Sequence, residues 1–232
     1  MLVYGKNSCE EILKNNKKVK RLYLDRNFRD KNIISLIEML KIKPYFYTKD
    51  ELDELVNANH QGIIVDVGEY EYNDLDELIN SDGFIVMLDH LEDTHNFGAI
   101  IRTCEAAGVD GIIIPKDRSV NVNSTVMKTS SGAAVNMKIC MVTNLNQTIK
   151  YLKDKGYWIV ATDMNGVNYT QVDYKDNICL IIGNEGNGIS ELVRKSSDFI
   201  VSIPMKGKIN SLNASVAAGI LIYEVVRQRG VR

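Results

Sequence analysis

The sequence predicts an α/β chain, with a mostly parallel sheet in its larger part and a small α/β/α unit ahead of it. Three observations lead there. After Gly83 come five continuous apolar runs, Phe84–Leu88, Gly111–Ile114, Trp158–Ala161, Ile178–Ile182 and Phe199–Ile203. Strands without polar alternation are those buried on both faces, as in a parallel sheet covered by helices. Helical stretches separate the runs, and before Gly83 shorter strand and helix patterns alternate around apolar residues of their own.

Taken in order, Ser8 to Asn15 suits a short helix with Ser8 as N-cap, Glu10 and Glu11 in the first turn, and Ile12 and Leu13 inward. Val19–Leu24 reads as a strand. Asn32 to Leu40 sets Ile33, Ile34, Leu36, Ile37 and Leu40 at helical spacing. Pro44–Tyr47 is a second strand, and Thr48 with Glu51 makes a capping box that opens a helix through Val56. Gly62 then releases Ile63–Val67 as a third strand. The acidic, polar stretch 71–82 reads as a linker, so the expected domains are residues 1–70 and 83–232. In the second, helices are expected at Phe97–Ala107, Asn144–Lys155, Ile189–Ser196 and Ala214–Arg229. The last is apolar nearly all round as far as Ile222 and must be covered, with a second copy of the chain as one possible cover.

Composition excludes some classes. With 232 residues, 45% hydrophobic and 25% charged, the chain is an ordinary globular protein. No apolar run nears the roughly 18 residues a membrane span requires. A charge at Lys6 arrives too early for a signal-peptide core, which makes the cytoplasm the expected compartment. Cys9, Cys104, Cys140 and Cys179 are widely spaced without a C-x-x-C pair, as reduced buried thiols would be.

Net charge is only −2, but it is unevenly spread. Residues 1–50 hold 12 Lys/Arg against 6 Asp/Glu, and residues 51–101 hold 13 acids and no Lys or Arg. A basic leading unit can hold nucleic-acid phosphates while the acidic middle repels them. A solvated surface without a partner accounts for the same numbers.

Three polar segments follow apolar strands, where ligands of open parallel sheets bind. They are Asn96-Phe97-Gly98-Ala99-Ile100-Ile101-Arg102, Gly183-Asn184-Glu185-Gly186-Asn187-Gly188, and Met205 to Asn213. The second spells G-x-x-G-x-G, the wrong order for a Rossmann fingerprint, and no Gly-Lys-Ser/Thr makes it a phosphate loop. It suits an ordinary strand-to-helix turn, or a turn that presents the Glu185 carboxylate to a ligand or to a cation such as Arg102. Arg102, expected in the second turn of its helix, is either a surface residue beside Glu105 or a cation in a wet cleft. His90 and His95 lie in an H-L-E-D-T-H order without metal-ligand spacing, so no metal is expected. No G-x-S-x-G elbow supports a serine hydrolase.

Together the three segments resemble the signature of the SpoU/TrmH group of SPOUT RNA ribose 2'-O-methyltransferases. The opening Val3-Tyr4-Gly5-Lys6-Asn7 and His60-Gln61-Gly62-Ile63 are similar to the two ends of the small ribosomal-protein-like RNA-binding domain in bacterial 23S rRNA (guanosine-2'-O-)-methyltransferases of the RlmB type. The resemblance implies a SPOUT domain with a deep trefoil knot, S-adenosylmethionine as cofactor, RNA as partner and a homodimer. It implies Gly183, Ile203 and Leu212 as cofactor contacts, with Thr162, Asn184, Gly188 and Met205 completing the pocket. Asn96, Arg102, Glu185, Ser211 and Asn213 are the reaction-centre residues it implies. It also implies 2'-O-methylation of a ribose, a 23S rRNA guanosine first. The alternatives are tRNA or another rRNA nucleotide, or a ribosome assembly factor without catalysis.

Overall fold

The structure is a computed structural model that describes residues 1–184, 186 and 188–230. Among the described residues, two compact units form. Met1–Glu71 with Val122–Asn136 is one, and Tyr72–Asn121 with Met137–Arg232 is the other.

The first unit is built on a four-stranded sheet of β1 (Leu2–Tyr4), β2 (Arg21–Asp25), β3 (Tyr45–Tyr47) and β4 (Ile63–Asp66), in the order β1-β4-β2-β3. β2 and β3 run parallel, while β4 is antiparallel to both β1 and β2. β1 is a strand the sequence pattern did not predict, because three residues are too few to show a period of two. Helices α1 (Lys6–Lys14), α2 (Lys31–Met39) and α3 (Lys49–Leu55) complete the N-terminal part. α1 starts earlier than its spacing predicts, since Gly5 at φ 89 turns the chain straight into it. Ser8 is therefore not an N-cap. It is buried inside α1, where its hydroxyl donates to the Met127 carbonyl at 2.9 Å. Asp30 caps α2, and Thr48 with Glu51 forms the expected capping box of α3.

Residues Val122–Asn136 belong to this unit although they come from the middle of the chain. They form α5 (Ser124–Thr129), capped by Asn123, and a 3-10 turn at Ala133–Val135. The Tyr70 hydroxyl donates to the Ala134 carbonyl at 3.2 Å, and Asn136 Nδ2 donates to Glu11 at 3.1 Å. Nothing in the local pattern pointed to this placement.

The second unit carries a six-stranded parallel sheet in the order β10-β8-β9-β5-β6-β7. Its strands are β5 (Phe84–Asp89), β6 (Gly111–Pro115), β7 (Ile139–Val142), β8 (Trp158–Asn168), β9 (Ile178–Gly183) and β10 (Phe199–Ser202). Five match the apolar runs. β7 joins them at the edge, an apolar run of four residues too short to be read in advance. α4 (Thr94–Ala106), α6 (Leu145–Asp154), α7 (Glu191–Ser196) and α8 (Ala214–Arg229) flank the sheet. Leu78, within the acidic stretch expected as linker, is fully buried in this core with Ile85, Met87 and Ile113. Asn73 also donates its N–H to the Ile139 carbonyl at 2.8 Å.

The winding decides where a ligand can go. β5, β6 and β7 step outward in one direction, then the chain returns to lay β8 on the other side, with β9 inserted between β8 and β5. Loops leaving the carboxyl ends of β5 and β9 therefore part in opposite directions and open a crevice. Among the described residues, no helix is long and apolar enough to cross a membrane.

Candidate active site

Four neighbouring strands end at this crevice. Asp89 of β5 is in register with Gly183 of β9, and Ala161 of β8 lies beside both Ile181 and Ile200. Thr162 follows Ala161, and Ile203 follows the last residue of β10. The β8–β10 ladder then jumps, Val201 pairing with Val167, so residues 162–166 bulge out at this end of the sheet.

A buried carboxylate ties the first two polar loops together. Asp89 is only 1% exposed, so each of its oxygens needs a donor. One accepts from His90 Nδ1 at 2.6 Å, the other from the Ser190 N–H at 2.6 Å. Because the ionised carboxylate only accepts, the proton of that imidazole is assigned to Nδ1. His90 sits at φ 59, a left-handed conformation that few non-glycine residues hold without support. The support is visible, since Asn184 Nδ2 donates to the His90 carbonyl at 2.8 Å.

Asn184 also shapes its own loop. It exchanges backbone hydrogen bonds with Gly188, both at 2.9 Å, and its Oδ1 accepts from the Gly186 N–H at 2.8 Å. This tight return explains the glycines. A Cβ on Gly183 would stand 2.4 Å from the Gly188 carbonyl carbon, and Gly188 itself has φ +65. The predicted reaction-centre residue Glu185 lies outside the described residues.

The first and third loops meet side chain to side chain. Asp93 caps α4 by accepting from the Asn96 N–H at 2.6 Å, which holds Asn96 in the first turn. Asn213 caps α8, its Oδ1 accepting from the Ser215 and Val216 N–H groups at 3.0 and 3.4 Å. Its free amide nitrogen donates to Asn96 Oδ1 at 2.9 Å. Arg102 is exposed on α4, in the third turn rather than the second because the helix starts at Thr94.

Between Ile203 and Asn213 the chain has no regular structure, and Met205, Ser211 and Leu212 are exposed. Among the described residues, Met205 to Leu212 make no backbone–backbone hydrogen bond. Donors and acceptors left open along a whole loop suit a ligand held mainly through main-chain groups. Of the residues predicted for the site, then, the structure joins Asn96 to Asn213 and places Thr162, Gly183, Asn184, Gly188 and Ile203 at adjoining strand ends. Met205, Ser211 and Leu212 make no hydrogen bond or ion pair to the others among the described residues. Asp89, His90 and Ser190 were missed as parts of the scaffold. An acid closing a fully apolar strand was the available signal, because a buried carboxylate there must find donors.

Comparison with known proteins follows the same lines. Residues 83–223 match the SpoU rRNA Methylase family, and residues 2–73 match the RNA 2'-O ribose methyltransferase substrate-binding domain. YacO of Bacillus subtilis (strain 168), named for the TrmH family of tRNA/rRNA methyltransferases, is 40% identical over 98% of this chain and 95% of its own. The SpoU methyltransferase AviRb from Streptomyces viridochromogenes, solved with AdoMet, superposes with a TM-score of 0.88 at 27% identity, covering 99% of this chain and 90% of that one. An AdoMet-bound rRNA methyltransferase from Sinorhizobium meliloti gives 0.84 at 25% identity, over 97% and 86% of the two chains. With both parts of the chain matched and the polar loops gathered at one sheet edge, this protein belongs to the SpoU/TrmH family of RNA methyltransferases.

Proposed function

We propose that the protein transfers a methyl group from S-adenosylmethionine to the 2'-oxygen of a ribose in RNA, with a guanosine of 23S rRNA as first candidate. The observation that carries this reading is the Asn213–Asn96 hydrogen bond, which closes the third polar loop onto the first at the carboxyl end of the sheet.

When bound, the cofactor supplies an electrophilic methyl group on a sulfonium. The loop backbone from Met205 to Leu212, with Gly183, Asn184, Gly188, Thr162 and Ile203 at the strand ends, is the part of this chain suited to hold it. We infer that this loop threads as the trefoil knot of SPOUT proteins. Asn96 and Asn213 fix the floor of the reaction centre, and Ser211 orients the ribose. Arg102 grips the phosphate beside the target ribose, with Glu185 and Asn96 steadying its guanidinium. Arg102 is a charge clamp and not the base, because a guanidinium keeps its proton above about pH 12. The 2'-hydroxyl proton passes to the RNA phosphate or to water. Alignment then supplies most of the rate enhancement.

Residues 1–70 act as the RNA-holding unit. Two copies associate through α8, where Val216 and Tyr223 are 50% and 51% exposed on a helix that is otherwise mostly apolar. The cytoplasm, where ribosomal RNA is available, is the compartment this activity requires. A tRNA substrate is the second reading, supported by the naming of the Bacillus relative for both RNAs. Mapping ribose methylation across rRNA and tRNA from cells with and without this gene tests the assignment. One missing 2'-O-methyl mark in 23S rRNA supports it; an unchanged rRNA map with a missing tRNA mark selects the second reading.

A further inference from the structure

The edge of the first unit's sheet combines features the methyl-transfer site does not use. β3 pairs with β2 on one side only, and its first two residues are large exposed aromatics, Tyr45 at 54% and Phe46 at 58%. Tyr45 lies opposite Tyr23 in the ladder, with ring centroids 6.0 Å apart, and Tyr23 in turn meets Tyr47 edge-on at 5.4 Å. Tyr23 is itself buried, so the exposed ring of Tyr45 stands on a rigid base. Arg21, two residues before Tyr23 on the same face, is exposed, and the Tyr23 side chain first, then the nearby Tyr45 phenol, holds its guanidinium above its usual pKa.

The charge around this edge is directional. β2 and β3 are parallel, so the segments leading into them reach the same end of the sheet. They bring Lys17, Lys18, Lys20, Arg21, Lys41 and Lys43, all exposed. Two acids are near. Asp66 lies opposite Arg21 and is taken by the N-terminal ammonium and the Gly68 N–H, and Glu38 is exposed at the end of α2. The opposite end of the two strands holds Asp25 and, in α3, Asp50, Glu51, Asp53 and Glu54 against the exposed Arg26 and Lys49, so acids outnumber bases there and phosphate is less favoured.

Exposed aromatic faces with a run of cations beside them are what unpaired nucleotides need, since bases stack on the rings while phosphates meet the charges. A duplex keeps its bases stacked internally and gains only the second part. We propose that the β3 edge is a stacking platform for a single-stranded segment of the substrate RNA, with Tyr45 taking a base on the face it shares with Tyr23, Phe46 taking the next on the other side of the edge, and Arg21, Lys41 and Lys43 taking the backbone. The proposal rests on the reading of this protein as an RNA methyltransferase. It adds which face of the leading unit meets the RNA and which form of RNA that face selects.

The test measures binding of the full-length protein to a labelled 20-nucleotide single strand and to the matching duplex by fluorescence anisotropy, across a salt series. The expected result is that Tyr45→Ala with Phe46→Ala weakens single-strand binding by about tenfold or more and leaves duplex binding nearly unchanged. The salt slope should stay the same in that variant and fall by about 0.7 in Arg21→Gln. Tyr45→Phe, which keeps the ring, should bind like wild type, and matching melting temperatures exclude misfolding. Single-strand affinity unchanged in the double variant overturns the platform while leaving the enzyme reading intact. A shift in sedimentation on removing the two rings, without change in RNA affinity, assigns the edge to a second copy of the chain and overturns it as well. Wild-type protein that binds neither RNA overturns the methyltransferase reading itself.

Discussion

Asn213 donates its side-chain amide to the side-chain oxygen of Asn96 across 117 positions of chain. Each of the two is already fixed by its own helix, Asn96 through the Asp93 cap of α4 and Asn213 as the cap of α8. Two helix N-termini are thus pinned to each other by one hydrogen bond, with the open Met205–Leu212 loop entering at the joint. Asn213→Ala removes both the cap and the bond. A cap loss costs about 1 kcal/mol of stability. If the bond also sets the reaction centre, methyl transfer should fall far more than that figure explains. Thermal melts beside turnover measurements separate the two effects, and a loss of activity no greater than the loss of folded protein would make Asn213 a cap only.

Arg102 is exposed in the third turn of α4 and is assigned to the RNA phosphate. Arg102→Ala should abolish methyl transfer while leaving S-adenosylmethionine affinity within about twofold, since the interaction is made with the other substrate. Calorimetric titration and a transfer assay check both halves. Wild-type turnover in this variant removes Arg102 from the mechanism.

Asp89 holds His90 and the Ser190 N–H, so Asp89→Ala removes the acceptor shared by two partly exposed donors and releases the loop at the end of β9. A hydrogen bond to a charged group contributes about 1.5–3 kcal/mol, which corresponds to about a tenfold loss in cofactor affinity if that loop lines the pocket. Asp89→Asn, which can still accept, should recover part of it. Equal cofactor affinity in all three proteins would show that this loop lies outside the pocket.

Arg229 ends α8 by donating to the carbonyls of Tyr174 at 2.9 Å, Asp82 at 3.3 Å and Gly83 at 3.0 Å, and to that of Asp176, with Phe84 beneath its guanidinium. It fastens the C-terminal helix to the leading ends of β5 and β9. Arg229→Ala should lower unfolding stability by about 3 kcal/mol, because bonds to a charged donor are the stronger kind. A denaturant midpoint within error of wild type would contradict this.

All four cysteines are buried, and burial pushes the thiols of Cys9, Cys104 and Cys179 well above the usual range and that of Cys140 up to about 11. The sign of the pH effect follows. The folded state keeps the thiols protonated where the unfolded chain begins to ionise near pH 9.0, the ordinary value for these groups. Their contribution to stability is therefore complete below that pH and declines as pH rises beyond it. Thiol titration with a chromogenic disulfide reagent at pH 8 should find none reactive in the native protein and all 4 after unfolding. Rapid native labelling would place a cysteine at the surface.

How much of this was legible in the residues depends on the range of the cause. The second unit's sheet was largely readable, because Phe84–Asp89 and Ile178–Gly183 are buried on both faces and carry no polar alternation to confuse them. The Thr48–Glu51 box and the extent of α8 were readable for the same local reason. β1 and β7 were not, since strands of three and four residues at a sheet border are set by their partners. Ser8 looked like a cap because its type is right for one, yet Gly5 at φ 89 had already started the helix. In the site, the glycines showed that the loop is tight without showing that Gly183 must clear Gly188. The bond between Asn96 and Asn213 is a product of strand order, and no spacing along the chain encodes it.

The most direct measurement uses S-adenosylmethionine labelled in its methyl group, purified protein and 23S rRNA, followed by complete alkaline hydrolysis of the RNA. Alkali cleaves beside every free 2'-hydroxyl, so a methylated ribose protects one linkage. The label is expected in a single alkali-resistant dinucleotide, with none transferred by Arg102→Ala protein. Label in mononucleotides, as base methylation would give, or no transfer to 23S rRNA or tRNA, would contradict ribose methylation.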